Sequence, residues 1–374
     1  WDMSNNNHNV RTAKSIMFRS VDFWEAFRFW LKLGFISFGG PAGQIAIMHR
    51  ELVENRRWIS EQRFLHALNY CMLLPGPEAQ QLAVYIGWLL HRTWGGIIAG
   101  LLFILPSLFI LIFLTWIYLA FQDIPVVSGI FYGIKPAVTA IVIHAAYRIG
   151  SRTLKNGLLW TIACIAFIAI FALKIPFPII VAIAALVGYL GGRYSPDYFK
   201  LGGHHTKQIN QFFGPAVIDD HTPRLAHTVF RWPHLTKIVT IGMLLWSIPM
   251  GLLILTFGGA YAVLPYVYQG AVDYYQWLLP YQMIDGLALG ETTPGPLIMV
   301  VTFVGFVAGW NLALLGPDQL LLAGVIAGVV VTYFTFLPSF IFVLAGGPLV
   351  ESTHGNLKFT APLTAITAAV VGVI

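Results

Sequence analysis

Long stretches of this chain carry no charge, and their lengths fit a lipid bilayer. Residues 95–122 contain no Asp, Glu, Lys or Arg, and neither do 157–173, 175–192, 238–272, 294–317 and 319–350. A helix needs roughly 20 apolar residues to cross the hydrocarbon core. The runs lack the alternation of barrel strands, and backbone polar groups in lipid must pair within their own segment. The pattern therefore predicts an all-α polytopic membrane protein. Segments 22–40, 64–74, 78–90, 95–121, 129–147, 157–173 and 176–192 read as the helices of a first half. Segments 238–257, 281–289, 295–311, 319–344 and 359–374 read as those of a second. The first of these, 22–40, is amphipathic, and a charged loop with Arg50, Glu51, Glu54, Arg56, Arg57, Glu61 and Arg63 follows it.

The two halves repeat each other. Phe38-Gly39-Gly40 recurs as Phe257-Gly258-Gly259, and Pro75-Gly76-Pro77 as Pro294-Gly295-Pro296, both at an offset of 219 (257 − 38 and 294 − 75). Trp58 and Trp277 share that offset. Leu105-Pro106-Ser107 returns as Leu337-Pro338-Ser339 at an offset of 232, so a short insertion intervenes (337 − 105). Ordered anchors at a constant period mark an internal repeat. The expected organisation is an N-terminal tail over 1–20, a first repeat over 21–192, a His-rich cytoplasmic linker over 193–237 and a second repeat over 238–374. The chain starts at Trp1 and stops inside an apolar run at Val373-Ile374, so the second repeat is expected to continue beyond it; no cleavable signal pattern precedes the first apolar stretch.

Charge orients the halves. The loop after the first Phe-Gly-Gly holds Arg50, Arg56, Arg57 and Arg63, whereas 260–282 holds Asp273 and no Lys or Arg. The positive-inside rule puts these loops on opposite faces, which makes the repeats inverted. The basic tail, first loop and linker all favour the cytoplasm. Broken, re-entrant helices at the Phe-Gly-Gly and Pro-Gly-Pro motifs reconcile them, since irregular backbone is tolerated inside protein at membrane depth. With 57% hydrophobic and 10% charged residues, the chain is far from the roughly 25% charge of a soluble domain. The net charge of +6 flanks membrane segments, so nucleic acid is not an expected partner. The bilayer is, and a homodimer is admissible. Cys71 and Cys164 both lie in apolar settings, and no structural disulfide is expected. No cofactor is expected.

The repeated breaks carry the candidate chemistry. Proline suits the first helical position, so Pro77 would open a helix whose free N–H groups, at Glu78, Ala79 and Gln80, attract an anion. Gly76 admits close approach to the backbone. Pro75, Pro294, Gly295, Pro296 and Leu297, followed by Ile298 and Met299, repeat the device, and Gly39, Gly40, Gly258 and Gly259 expose further backbone. The alternative is a proline kink that only packs helices. Gln44, Asn69, Gln80, Gln81, Thr292 and Thr293 either bond an oxyanion or glue helices together. Arg28 and Lys32 share a helical face, as counter-charges or as a solvated interfacial surface. Glu78, Glu291 and His144 are candidate proton carriers; for Glu78 the alternative is a carboxylate steadied by the helix dipole, and for His144 a hydrogen-bonded core residue. His204, His205, His221, His227 and His234 of the linker lack the spacing of a compact metal site, and no nucleotide-binding glycine loop occurs.

These motifs resemble a known family. Phe38-Gly39-Gly40-Pro41, Trp58-Ile59-Ser60, Leu73-Leu74-Pro75-Gly76-Pro77 and Phe103-Ile104-Leu105-Pro106 stand in the first half. Phe257-Gly258-Gly259-Ala260-Tyr261-Ala262-Val263-Leu264-Pro265, Asp285-Gly286-Leu287-Ala288 and Thr292-Thr293-Pro294-Gly295-Pro296-Leu297 stand in the second. Over residues 21–192 and 236–374 the chain resembles the chromate ion transporter family in its long-chain, two-domain form. The resemblance implies a secondary transporter, not an enzyme, that exports chromate through the bacterial inner membrane and confers resistance. Chromate/proton antiport is the mechanism commonly described for the family, and sulfate is the natural look-alike substrate. Transport of sulfate or another oxyanion, or a passive anion channel, remains the alternative.

Overall fold

A computed structural model describes residues 21–352 except 39, 75, 122, 127–128, scattered positions between 135 and 155, 174, 176, 195–214, 220–226 and 248–266. Among the described residues the fold is helical, with one isolated bridge between Ile59 and Ile218. Helix α1 (Phe23–Ile36) starts where the Asp22 carboxylate accepts the N–H groups of Trp24 and Glu25, a side-chain cap. It buries Ala26, Phe29, Trp30 and Leu33. The chain breaks at Ser37 and Phe38, and Gly40, at φ 66°, opens α2 (Gly40–His49). The expected single helix over 22–40 is thus interrupted, and the expected charged loop is largely folded. A π-helical turn, Arg50–Asn55, follows α2, and Ser60 caps α3 (Glu61–Leu73) by accepting the Arg63 N–H.

Helix α4 (Glu78–Ala120) is a hairpin rather than a rod. Its backbone leaves helical geometry at His91 (φ −133°) and Arg92 (φ 56°). A Cβ on Gly87 would lie 2.5 Å from the Gly95 carbonyl, and one on Gly100 would lie 2.5 Å from the Val84 side chain. In a straight helix Val84 and Gly100 would stand about 24 Å apart. The limbs 78–90 and 93–120 therefore run antiparallel with glycine between them. The second half is built alike. A π-helical turn, Gln269–Tyr274, precedes α8 (Pro280–Thr292); a 3₁₀ turn, Leu297–Met299, leads into α9 (Val300–Asn311) and, after a turn, α10 (Leu320–Ser352). Gly305 and Gly309 of α9 press on the carbonyls of Ala327 and Ala323 in α10, closing the second hairpin. Between the halves come α5 (Gly157–Phe171), α6 (Phe177–Tyr194) and α7 (Trp232–Ser247).

The repeat extends to the backbone. The π turns are 219 residues apart (269 − 50), and so are the starts of α3 and α8 (280 − 61). Arg57 and Gln276, at the same offset, both take left-handed φ, 54° and 53°. The long limbs exchange cores: Ile104, Leu108, Leu111 and Tyr118 of α4 pack with the second half's Met283, Phe303 and Phe306, while Val343 and Leu344 of α10 pack with Trp30, Tyr85 and Trp88. Outward positions stay apolar, with Phe109 and Phe113 on α4, Phe167 and Phe171 on α5, and Leu322 and Ile326 on α10 all exposed. Such a surface suits lipid as its solvent.

The linker is fastened to the first half. Ser60 donates to the Ile218 carbonyl at 2.9 Å, and Val217 and Ile218 donate to the Arg57 and Trp58 carbonyls. His227 lies edge-on to Trp88 and its Nε2 donates to the Trp88 carbonyl at 3.1 Å.

Two outcomes test this packing. Gly309→Val puts branched carbon against the Ala323 carbonyl and is expected to destabilise by about 1–3 kcal/mol; Gly157→Ala, with nothing within 4 Å of the added methyl, should leave detergent melting unchanged. Burial lowers the pKa of His227 below its ordinary 6.5. The undocked linker then binds more protons, so docking is complete above that ordinary pKa and weakens as pH falls through it toward the lowered value. Amide exchange at 217–218 and 227–228, corrected for intrinsic rates, should rise between about pH 7.5 and about pH 5.5, and His227→Gln should remove the acid-specific part.

Candidate functional site

Two glycine turns organise the centre of the molecule. Gly76 has φ 121° and Gly295 has φ 115°, both in the region that side chains disfavour. A Cβ on Gly76 would lie 2.5 Å from Ser339 Oγ, and one on Gly295 would lie 2.6 Å from Ser107 Cβ. Each Pro-Gly-Pro turn therefore presses on the Leu-Pro-Ser serine of the other half. The first break joins the crossing as well. The Gly295 N–H donates to the Ser37 carbonyl at 2.8 Å. Gln44, fully buried, donates through Nε2 to the Ser37 carbonyl at 3.2 Å and to the Gly295 carbonyl at 2.5 Å.

Both turns feed helix starts. Pro77 is the N-cap of α4, with extended ψ of 104°, so Glu78 is the first helical residue; the expectation of Pro77 at the first helical position is off by one. Gln81 N–H donates to the Pro77 carbonyl, and the N–H groups of Glu78, Ala79 and Gln80 precede that first bond. Pro296 caps the second start, where the 3₁₀ turn lets Met299 N–H donate to the Pro296 carbonyl at 2.9 Å. The tighter turn leaves Leu297 and Ile298 as the N–H groups before that bond, so Met299 drops out of the expected set. Helix N-termini of this kind offer positive partial charge and directed donors.

The side chains sort into two groups. Gln80 is fully buried in the first turn of α4, while Glu78 is half-buried at its start. Pro294, Pro296 and Leu297 are buried at the second turn. Thr292 donates back to the Ala288 and Leu289 carbonyls and Thr293 to Gly290, so both hydroxyls bond their own helix. Asn69 stays exposed on α3, and Arg28 and Lys32 stay exposed on α1, opposite the face that carries Phe29 and Leu33. Glu291 is half-buried near the end of α8. Gly39, Pro75, His144, Gly258 and Gly259 lie outside the described residues.

Polar clusters flank the crossing. Arg63 of α3 pairs with Glu351 at the end of α10, and Tyr85 donates to the same carboxylate at 2.6 Å. Glu351 is 3% exposed, and a buried pair of this kind is costly to break because one partner is left charged and alone. Tyr118, near the end of α4, donates to buried Asp285 of α8 at 2.9 Å. Tyr118 lies eleven residues beyond Ser107, and Glu351 twelve beyond Ser339, or about 16–18 Å of helix in each case. Sequence reading missed Ser107, Ser339, Arg63, Tyr85, Glu351, Tyr118 and Asp285 as site residues. The repeated Leu-Pro-Ser was a signal for the serines; the pairing of distant charges had none.

The comparisons with known proteins agree with this build. The sequence matches the family described as chromate transporter over residues 24–189 and 243–374. It is 33% identical to a chromate transport protein of Pseudomonas aeruginosa, across 95% of this chain and 80% of that one. A chromate transport protein of Cupriavidus metallidurans is 30% identical, across 98% and 83%. A probable chromate transport protein of Synechococcus elongatus is 30% identical, across 93% and 81%. No solved structure shows a significant match. A helical protein with an apolar exterior, matched in both halves by this family and along most of its length by these relatives, is a transporter of the membrane, and the chain belongs to the chromate transporter family.

Proposed function

We propose that the chain moves chromate, or a similar tetrahedral oxyanion, out of the cytoplasm by alternating access, with the crossing of the two Pro-Gly-Pro turns as its binding site. The carrying observation is a pair of helix starts, each entered through a glycine turn packed on a buried serine of the other half, with buried, uncharged polar side chains beside them in an otherwise apolar protein. Directed N–H groups of this kind replace the hydration shell of an anion. The names of the relatives supply chromate as the substrate. The inner membrane, crossed many times, is the proposed location, and resistance is the proposed outcome.

Inverted repeats are the proposed architecture. Their support is the arginine asymmetry of the equivalent loops together with the exchanged long limbs: α10 ends beside Tyr85 of the first half, and α4 ends beside Asp285 of the second. The short limbs, 78–90 and 297–311, measure about 20–22 Å, less than the roughly 30 Å hydrocarbon core, as re-entrant segments do. The Arg63–Glu351–Tyr85 and Tyr118–Asp285 clusters then act as opposite gates. Each opens in turn by separating the long limb of one half from the helix of the other.

Export runs downhill electrically. One charge crossing 100 mV is worth about 2.3 kcal/mol, so a dianion leaving a negative interior gains about 4.6 kcal/mol. Proton exchange is a further proposal, with Glu78 as carrier: it stands at the first helix start, and Leu297 takes its place in the second half.

Proteoliposomes test the reading. Chromate or sulfate flux should follow an imposed potential and saturate with concentration. Absence of flux for both anions would refute an oxyanion transporter, and flux that never saturates would favour a channel. A pH gradient of one unit at zero potential should drive chromate uphill; indifference to it would refute proton exchange. Gly76→Val and Gly295→Val should abolish flux and lower the detergent melting temperature together, because each places branched carbon against a buried serine at a disfavoured φ.

A further inference from the structure

The crossing is duplicated in backbone but not in side chains, and the difference leaves one hydroxyl without a partner. On one side Gln81 Nε2 reaches Ser339 Oγ at 3.4 Å. The residue equivalent to Gln81 in the second half is Val300, at the same offset (300 − 81 = 219). Valine offers no polar atom, and Ser107 Oγ, fully buried beside Gly295, has no hydrogen-bond partner. Ser107 also forgoes the usual recourse of a helical hydroxyl, donation to the carbonyl four residues back, which Thr115, Thr332 and Thr335 all use. On the short limb of the same hairpin, the carboxamide of Gln80 is fully buried with neither its oxygen nor its nitrogen bonded; its counterpart is Met299. The Oε1 of Gln44 is buried and unbonded in the same crossing.

Buried polar atoms in native proteins are almost always paired, so the orphans beside Gly295, Ser107 Oγ and Gln44 Oε1, together with the unbonded carboxamide of Gln80 on the facing limb of the α4 hairpin, call for a guest. The orphans here are neutral, and the O–H of Ser107 and the N–H₂ of Gln80 are donors. They come from the half whose helix start, at Glu78 to Gln80, supplies three backbone N–H groups. The second half's own turn contributes backbone and apolar side chains, Gly295, Leu297, Met299 and Val300, and its Ser339 hydroxyl is already met by Gln81.

We infer that Ser107 and Gln80 are specificity-determining residues: their side chains donate directly to the oxygens of a tetrahedral oxyanion seated against Gly295. This assignment rests on the function proposed above. It makes the first half the side-chain reader of the anion and the second half its backbone wall.

The test uses the full chain, purified in detergent, with thermal unfolding followed against sodium chromate and sodium sulfate. Ser107→Ala removes a buried hydroxyl that has no protein partner, so the anion-free variant should melt above wild type. The same variant should need at least tenfold more anion for half-maximal stabilisation. Gln80→Leu, of similar volume, should move both readouts in the same directions. A purely structural hydroxyl would give the opposite first result, a lower anion-free melting temperature, and that overturns the assignment. An unchanged anion midpoint in both variants, with wild type responding normally, overturns it while leaving the proposed function intact. Wild type that responds to neither anion overturns both.

Discussion

The structure depends on a close approach: two glycine turns, each pressed against a serine from the other half. No side chain beyond hydrogen fits at Gly76 or Gly295, because a Cβ would fall 2.5–2.6 Å from an atom of Ser339 or Ser107. Both glycines also hold a φ that L side chains rarely adopt. The contact fixes each helix start against the long limb of the other half and sets the level at which that limb passes the turn. The exchanged cores follow from it. Ile104 to Tyr118 can pack among second-half side chains, and Val343 and Leu344 among first-half ones, because the limbs cross there.

The bilayer explains why the rest is arranged around that contact. Lipid cannot satisfy an open backbone group, so a chain break at membrane depth must be enclosed by protein. Here the breaks at Ser37 and Gly295 satisfy one another directly, with Gln44 bridging them. Apolar side chains gain little from leaving lipid for protein, and close backbone packing takes over as the source of helix association. Gly87, Gly95, Gly305 and Gly309 line the hairpins for that reason. The same solvent makes buried charge expensive, and the buried carboxylates are met by donors, Glu351 by Arg63 and Tyr85 and Asp285 by the Tyr118 hydroxyl.

Duplication supplied a symmetric frame, and substitution then made its halves unequal. Glu78, Gln80 and Gln81 stand opposite Leu297, Met299 and Val300. The polar chemistry collects on the first half, while the second keeps the backbone geometry. On the function proposed above, this division would let neutral dipoles hold an anion without a permanent counter-charge that must be dragged apart on release. The exposure of Arg28 and Lys32 on α1 fits the same scheme, since neither is drawn into the crossing.

Much of this was legible in the chain. Uncharged runs determined the helical, membrane-borne class, because period and length answer directly to the bilayer. The constant offset determined that the chain is two copies of one unit, and the paired prolines and glycines located both helix starts to within a residue. Local chemistry governs each of these features. Tertiary structure decided which segments meet. That α4 folds back on itself and α10 packs back along α9, that Gly76 faces Ser339 and Gly295 faces Ser107, and that Glu351 finds Arg63 across 288 positions depend on contacts between distant segments. The donors follow the same division. Sequence reading chose Thr292 and Thr293 and passed over Ser107, yet the threonines bond their own helix and Ser107 does not, a distinction set by packing around each oxygen rather than by the residue type.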